Sequence, residues 1–569
     1  MLSMKRTQFV LVGIALLLLL KASANAQTQP AIDQANQRKC LAILESGLES
    51  VEFWPSMHAA EALTMSGERE KVRRHLGRLD WQSLDDQKRC GVFRELVRSG
   101  DAASVSMLYY ILANPKSTGR VHAAESIFKL NIGNNSNALA DAAKSDDEGL
   151  ALFSAAALAR RGDSKALSAV RAALSDPSST MRRRAAWILS TVGDATDQAR
   201  LHQLLPGAVE SLERVQYQHS LAALGDVTQF RSIQANLIHS DPRVRASAAV
   251  YAGECNLDST AELIQLLDDE ALDVRIRAAH RLLASVQDKP HELSEKVKRT
   301  AQRGDHIRGV ASFLKPDRKL TYKTVSDRDL QLHVFLPENW NAANKRSCFL
   351  IIHGGGWAGG VPQRMYPFAD YFANQGMVAI SLQYRLLDKK RNVDVFDCVR
   401  DARSAVRFIR THAEELGVDP NKIIVSGASA GGHLAVGTSL FRSVNEAGES
   451  TAVSCEPNAL VLLYPVIDTS SEGYGQAKIG ARWKELSPVA HVKENVSPTI
   501  VFHGTADTVT PLKGAEQFTA AMAQLGNECS LVRNDGGAHG YLIYDLFWYF
   551  DAQIQTEQFL KKHKLLKKQ

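Results

Sequence analysis

A serine, an aspartate and a histidine each follow a run of apolar residues in the second half of this 569-residue chain. Ser429 lies in Gly427-Ala428-Ser429-Ala430-Gly431 after KIIVS, Asp507 in Gly504-Thr505-Ala506-Asp507 after TIVFHG, and His539 in Gly537-Ala538-His539-Gly540 after CSLVRND. A serine hydroxyl is a weak nucleophile until a base takes its proton, and an imidazole is a suitable base when a carboxylate orients it. Brought together, the three would attack a carbonyl carbon and pass through an acyl intermediate.

Such an attack puts negative charge on oxygen, which preorganised backbone N–H groups can meet only if nothing crowds them. The stretch IIHGGGWAGG, from Ile351, offers that bare backbone at Gly354, Gly355 and Gly356, and Ala430 supplies the N–H after the serine. A glycine run costs about 0.5–1 kcal/mol per residue in regular structure, whereas losing one oxyanion donor costs about 10²–10³ in turnover.

A G-x-S-x-G turn works between a strand and a helix, where glycines permit a strained elbow that lifts the serine clear of a sheet. The sequence predicts that setting. LTYKTV and LQLHVFLP alternate about a short hairpin from residue 320, and FLIIH, MVAISLQY, KIIVSG, ALVLLYP, TIVFHG and CSLVRND read as buried strands. DCVRDARSAVRFIRTHAEEL and KGAEQFTAAMAQLG read as amphipathic helices between them. Alternation of this kind gives a mostly parallel, doubly wound sheet with helices on both faces. The order Ser429, Asp507, His539 is that of the α/β-hydrolase fold, and differs from the chymotrypsin and subtilisin orders.

Residues 320–563 resemble the hormone-sensitive-lipase-like branch of the α/β-hydrolase superfamily, which includes carboxylesterases and acetyl esterases. The resemblance rests on HGGGW at His353, GASAGGHLA from Gly427, YPVID from Tyr464, LSPVAHV from Leu486, HGTADTVTP from His503 and AHGY from Ala538. It implies Ser429 as nucleophile, His539 as general base and then acid, and Asp507 as its orienting partner. Gly355, Gly356 and Ala430 become the oxyanion donors, with Gly354 shaping the loop. Two departures, Thr510-Pro511 for Val-Pro and Tyr541-Leu542-Ile543-Tyr544 for a Phe-rich segment, are expected to line the substrate pocket without touching the triad. The short segment between Asp468 and Leu486 suggests little lid and an open site suited to short acyl esters.

The first half has another period. Glycines ending apolar helical stretches fall at Gly67, Gly100, Gly133, Gly162, Gly193, Gly225 and Gly253, about thirty residues apart. HAAEALTMSG is echoed by HAAESIFKLNIG, and later units open as SDPSSTMRRRAAWIL, SDPRVRASAAVYA and DDEALDVRIRAAHRLL. The pattern resembles HEAT-like repeats over residues 35–290, an all-α solenoid in which alanines pack inside and glycine provides left-handed helix caps. Such a stack leaves a concave surface that a protein or glycan could use, or serves as a spacer. Arginines such as Arg182, Arg245 and Arg277 are expected to pair with acids of neighbouring units, Asp241, Asp269 and Asp273 among them, and not to form an anion stripe.

The expected organisation is therefore a signal peptide at 1–26, a HEAT-like helical domain at 27–314 and a catalytic domain at 315–569. Lys5 and Arg6 precede an apolar run from Phe9 to Leu20, and Ala24-Asn25-Ala26 has the form of a cleavage site. The reading is of an exported protein, periplasmic or secreted, with a retained anchor as the alternative and no membrane span after cleavage. The formal charge of +6 falls by three without the leader, so nucleic acid is not implied. Seven cysteines leave at least one thiol unpaired, and Cys40 could pair with Cys90.

The reading is thus a serine carboxylesterase acting on small or polysaccharide-linked acyl esters, without metal or organic cofactor. Alternatives are a prolyl-oligopeptidase-like peptidase, against which Ala430 and the helical first half argue, and a repeat-based binding protein with an inactive hydrolase. The glycine loop lacks G-x-G-x-x-G spacing. His433, His491 and His503 are read as structural and not as a metal set. Asp468, one strand too early, is the weaker candidate for the triad acid.

Overall fold

The computed structural model describes residues 32–133, 137–255, 257–287, 291–326 and 328–567. The leader expected at 1–26 lies outside the described residues. Among them, no helix is long and apolar enough to cross a membrane. The chain groups into two compact units. One comprises the described residues up to Leu84, Arg98–Gly100 and Ala159–Ser294; the other comprises Asp85–Val97, Asp101–Leu158 and the described residues from Glu295 onward.

The first unit is helical. Its inner helix faces carry paired alanines, Ala185-Ala186, Ala248-Ala249 and Ala278-Ala279, all fully buried, so that helices approach closely. Helix ends close in the left-handed region at Gly67, Gly162 and Gly225, with Glu68 N–H donating to Leu63 O and Asp226 N–H to Leu221 O, both at 2.9 Å. The glycine cap is not universal. Gly193 is extended at φ −80°, ψ −177°, Gly253 lies inside the helix Pro242–Glu254, and near Gly133 in the other unit Asn131 takes the left-handed position. Some of the arginines pair across repeats: Arg245 grips Asp269 through two bonds of 2.7 and 2.9 Å, Arg171 meets Asp197 at 2.7 Å and Arg182 meets Glu213 at 3.1 Å, whereas Asp241 holds Arg243 of its own helix at 2.7 Å and Asp273 lies 3.8 Å from Arg277 on the same helix.

The second unit is built on an eight-stranded sheet in the order β1-β2-β4-β3-β5-β6-β7-β8. Its strands are β1 Arg318–Val325, β2 Arg328–Phe335, β3 Arg346–Ile352, β4 Val378–Leu382, β5 Val418–Ala428, β6 Ala459–Leu463, β7 Thr499–Gly504 and β8 Cys529–Asn534. β1, β2 and β4 pair antiparallel; from β4 to β8 every pairing is parallel. The central strands are buried on both faces, hence their unbroken Val/Ile/Leu runs. β8 departs from the expectation of a buried strand. It forms the sheet edge, and of its six residues only Asn534 is buried.

Helices from the repeat-like region pack inside this unit. Tyr110, on the helix Ser104–Ala113, lies 4.9 Å ring to ring from Phe550, and Lys116 meets Glu557 at 2.7 Å. The helix Val395–Thr411 starts with a capping box between Asp394 and Asp397. All seven cysteines are free, so the Cys40–Cys90 pairing is not made; both thiols are buried, in different units.

Candidate active site

β5 ends at Ala428 and the helix Ala430–Leu440 begins at once, leaving Ser429 alone to carry the turn at φ 55°, ψ −120°. That conformation is strained for a residue with a β-carbon. Three bonds hold it: Ser429 N–H donates to Leu463 O at 2.9 Å, and His433 N–H and Val466 N–H donate to Ser429 O at 3.1 and 3.2 Å. The tight turn also needs empty space, since a β-carbon on Gly431 would collide with the Ile352 carbonyl oxygen.

The three residues singled out for acyl chemistry converge. Ser429 Oγ lies 2.9 Å from His539 Nε2, and His539 Nδ1 lies 2.8 Å from Asp507 Oδ2. With Nδ1–H donating to the carboxylate, Nε2 is left to accept the serine proton. Asp507 sits just beyond β7, where Val509 N–H and Thr510 N–H donate to Oδ1 at 2.9 and 2.8 Å. Burial favours the protonated carboxyl, but the bonds from His539 and Thr510 outweigh it and hold Asp507 below its ordinary range.

Thr510 corrects the expectation that the family departures stay clear of the triad. Its hydroxyl is 2.9 Å from Asp507 Oδ2 and 3.1 Å from His539 Nδ1. It therefore braces the aspartate–histidine pair. The second departure behaves as expected, with Leu542, Ile543 and Tyr544 lining the cavity.

The glycine loop leaves β3 directly. His353 stacks on Tyr384 at 4.4 Å and its Nδ1–H donates to Gly354 O at 2.9 Å; burial pulls its pKa down to about 4, so the ring is neutral. Ala358 N–H and Gly359 N–H donate back to Gly355 O at 3.2 and 3.0 Å, closing the loop as a tight turn. Gly355 has φ +126°, which strains any other residue. Among the described residues the amides of Gly355, Gly356 and Ala430 donate to no backbone acceptor. A cavity of about 330 Å³ opens onto Ser429 and His539, with Gly354, Gly355 and Gly356 in its wall.

This cavity is less bare than the short Asp468–Leu486 segment suggested. Tyr474, from that segment, lines it, as do Ile307 and Arg308 from the helix His306–Ala311. Lys478 Nζ donates to Gly356 O at 3.1 Å and to Tyr474 Oη at 2.7 Å. Asp468 instead caps a turn, accepting from Ser470 N–H and Oγ–H at 2.8 Å each. His433 donates to Leu486 O at 2.7 Å, His503 to Thr510 O at 2.6 Å and His491 to Lys484 O at 2.8 Å. Each is thereby tied to a backbone carbonyl, His433 from its helix to the Leu486 segment, His503 from β7 to the turn that carries Asp507, and His491 to the preceding turn. Among the described residues no group of His, Cys, Asp and Glu is arranged to hold a metal ion.

Comparison with known proteins agrees with the two-part architecture. Residues 332–522 match the BD-FAE family model, and residues 136–222 match the HEAT repeat model. An acetylxylan esterase of Xylanibacter ruminicola is 26% identical over 255 residues, 42% of this chain and 49% of the relative. A probable isoprenylcysteine alpha-carbonyl methylesterase of Arabidopsis thaliana is 22% identical, covering 37% of this chain and 48% of the relative. The chain thus spans about half the length of these curated relatives. Among solved structures, esterase 2 of Thermogutta terrifontis is 39% identical over 44% of this chain and 96% of its own, with a TM-score of 0.43. The chain belongs to the α/β-hydrolase superfamily, in its esterase branch, and carries HEAT repeats.

Proposed function

We propose that the protein is a serine carboxylesterase acting on short acyl esters, with residues 315–569 as its catalytic domain. Ser429 attacks the ester carbonyl while His539 takes its proton, and Asp507 keeps the imidazole oriented and stabilises the resulting imidazolium. Gly355, Gly356 and Ala430 N–H groups receive the oxyanion, with Gly354 setting the loop. His539 then protonates the departing alcohol, and a water activated by the same histidine cleaves the acyl-serine to release the acid.

The observation that carries this reading is the unbroken relay, 2.9 Å from Ser429 Oγ to His539 Nε2 and 2.8 Å from His539 Nδ1 to Asp507 Oδ2, beside a cavity walled by open amides. The family match and the acetylxylan esterase relative support ester chemistry and favour acetylated polysaccharide as a source of substrate. Lys5-Arg6, the apolar run and Ala24-Asn25-Ala26 support export. The test is hydrolysis of 4-nitrophenyl acetate by the protein and by Ser429→Ala. Turnover by the first and background from the second is expected; equal rates from both would overturn the reading.

A further inference from the structure

Two guanidinium groups, Arg308 and Arg364, stand in the wall of the Ser429 cavity, and among the described residues lining it there is no carboxylate. Much of the remaining wall is apolar, including Met365, Phe368, Leu542 and Ile543. Arg364 lies in the turn Pro362–Met365 after the glycine loop, is exposed, and its guanidinium makes no hydrogen bond or ion pair among the described residues. Among the described residues the one acid paired with Arg308 is Asp305, at 3.8 Å, and half of the Arg308 side chain is exposed, 50%. Its guanidinium carbon sits 5.9 Å from the ring of Tyr544, itself a wall residue.

Other arginines of the same unit are treated differently. Arg385 is clasped by Asp397, Asp401 and Glu446 at 3.2, 2.8 and 2.8 Å, and Arg403 reaches three backbone carbonyls and Asn445. Cations that no carboxylate clasps closely beside a reacting centre are available to an anion that arrives with the substrate, and the planar fork of arginine suits a carboxylate. Both charges also bear on the buried phenol of Tyr464, whose ring stands edge-on to His539 at 5.3 Å, so they lie within electrostatic reach of the catalytic residues.

We propose that this site, if the esterase reading above holds, selects esters carrying a free carboxylate, which Arg364 and Arg308 receive. The carboxylate could belong to the acyl part or to the alcohol part, and two matched substrate pairs separate these. Monomethyl adipate against methyl hexanoate places it on the acyl side. For the alcohol side, 4-acetoxybenzoate is set against its methyl ester, whose phenolate is the better leaving group, so preference for the carboxylate runs against intrinsic reactivity.

The full chain should show kcat/KM about tenfold higher for the charged member of one pair. In Arg364→Gln, and separately in Arg308→Gln, the ratio of charged to uncharged kcat/KM should fall severalfold, chiefly through KM, with Arg364→Lys recovering part of it. Rising salt should lower the ratio in wild type more than in Arg364→Gln. A wild-type ratio at or below one in both pairs, or a ratio that neither arginine variant changes, overturns the proposal while leaving the esterase reading in place. Should none of the four esters nor 4-nitrophenyl acetate be cleaved, the esterase reading falls and the proposal with it. Arg308 lies on an exposed helix face, so its variant keeps the test decisive if Arg364→Gln does not fold.

Discussion

Left-handed backbone occurs in both compact units, but it falls on different residues. In the helical unit it falls on glycines at helix ends, such as Gly67 at φ +98°, where a β-carbon would meet nothing within 4 Å. No non-glycine residue of that unit has positive φ among the described residues. In the sheet unit it also falls on Ser429, Trp357 and Tyr464, at φ 55°, 60° and 36°. Left-handed backbone costs a residue with a β-carbon about 1–2 kcal/mol. Where the chain need only turn, glycine removes that cost. Around the nucleophile the side chains themselves are required: the Ser429 hydroxyl faces His539, Tyr464 packs edge-on to the same ring, and buried Trp357 follows the glycine loop. At Ser429 the strain is therefore retained where a side chain has chemical work, whereas at Lys345 and Asn392 of the same unit positive φ only closes a helical turn.

The contrast is broken most directly by removing that chemistry. Ser429→Ala should lower ester turnover by about 10⁶, since the rest of the relay then has no nucleophile to serve; a residual rate within tenfold of wild type would show that the strained serine is not the reacting group. Asp507→Asn should follow with a loss of about 10⁴ in kcat, because the amide favours the wrong imidazole tautomer. The same variant has a pH signature. Asp507 is held below its ordinary carboxylate range in the folded protein. Its charged form therefore contributes stability above the unfolded carboxylate pKa, about 4, and that contribution is lost as pH falls through the folded value. Urea midpoints of wild type and Asp507→Asn should differ most near neutrality and converge in acid. A constant gap would remove Asp507 from the set of groups that stabilise the fold.

What could be read along the chain and what could not divides along a related line. The elbow, the glycine loop and the Asp507 and His539 turns are contiguous motifs at strand ends, so residue type and spacing were enough to mark them. The buried parallel strands β3 to β7 are visible because they need long β-branched runs, and the antiparallel β1 and β2 because they alternate about a hairpin. β8 was misjudged as buried because CSLVRN has the same composition at a sheet edge as in a centre. The bracing by Thr510 was missed because a Thr-for-Val exchange looks like a pocket change until its hydroxyl is placed against Asp507 and His539. Arg308 carried no local signal at all. It sits in a charged stretch more than a hundred residues before Ser429, and only the packing of the helix His306–Ala311 in the sheet unit puts it in the cavity wall.

Space as well as torsion separates the two kinds of glycine. Gly431→Ala introduces a β-carbon against the Ile352 carbonyl, a backbone atom of the central sheet that cannot swing aside. The expected cost is about 3 kcal/mol, seen as a lower urea midpoint, together with reduced turnover as the elbow shifts relative to the glycine loop. A Gly431→Ala protein as stable and active as wild type would mean that the close approach of elbow and β3 is not needed.

The smallest effects give the sharpest form of the comparison, because they invert it. Ser429→Gly, like Ser429→Ala, removes the nucleophile, but it places at the elbow a residue for which φ 55° is unstrained; against the alanine variant it should be more stable by about 1 kcal/mol. Gly67→Ala makes the opposite exchange in the helical unit, with open space around the new methyl group. Its cost of about 1–2 kcal/mol is then purely torsional, and Asn at the same position, which tolerates left-handed backbone, should recover part of it. If Ser429→Gly is no more stable than Ser429→Ala, the elbow is not strained in the way its torsion angles imply. If Gly67→Ala is neutral, the repeat glycines owe their places to something other than the turn they make.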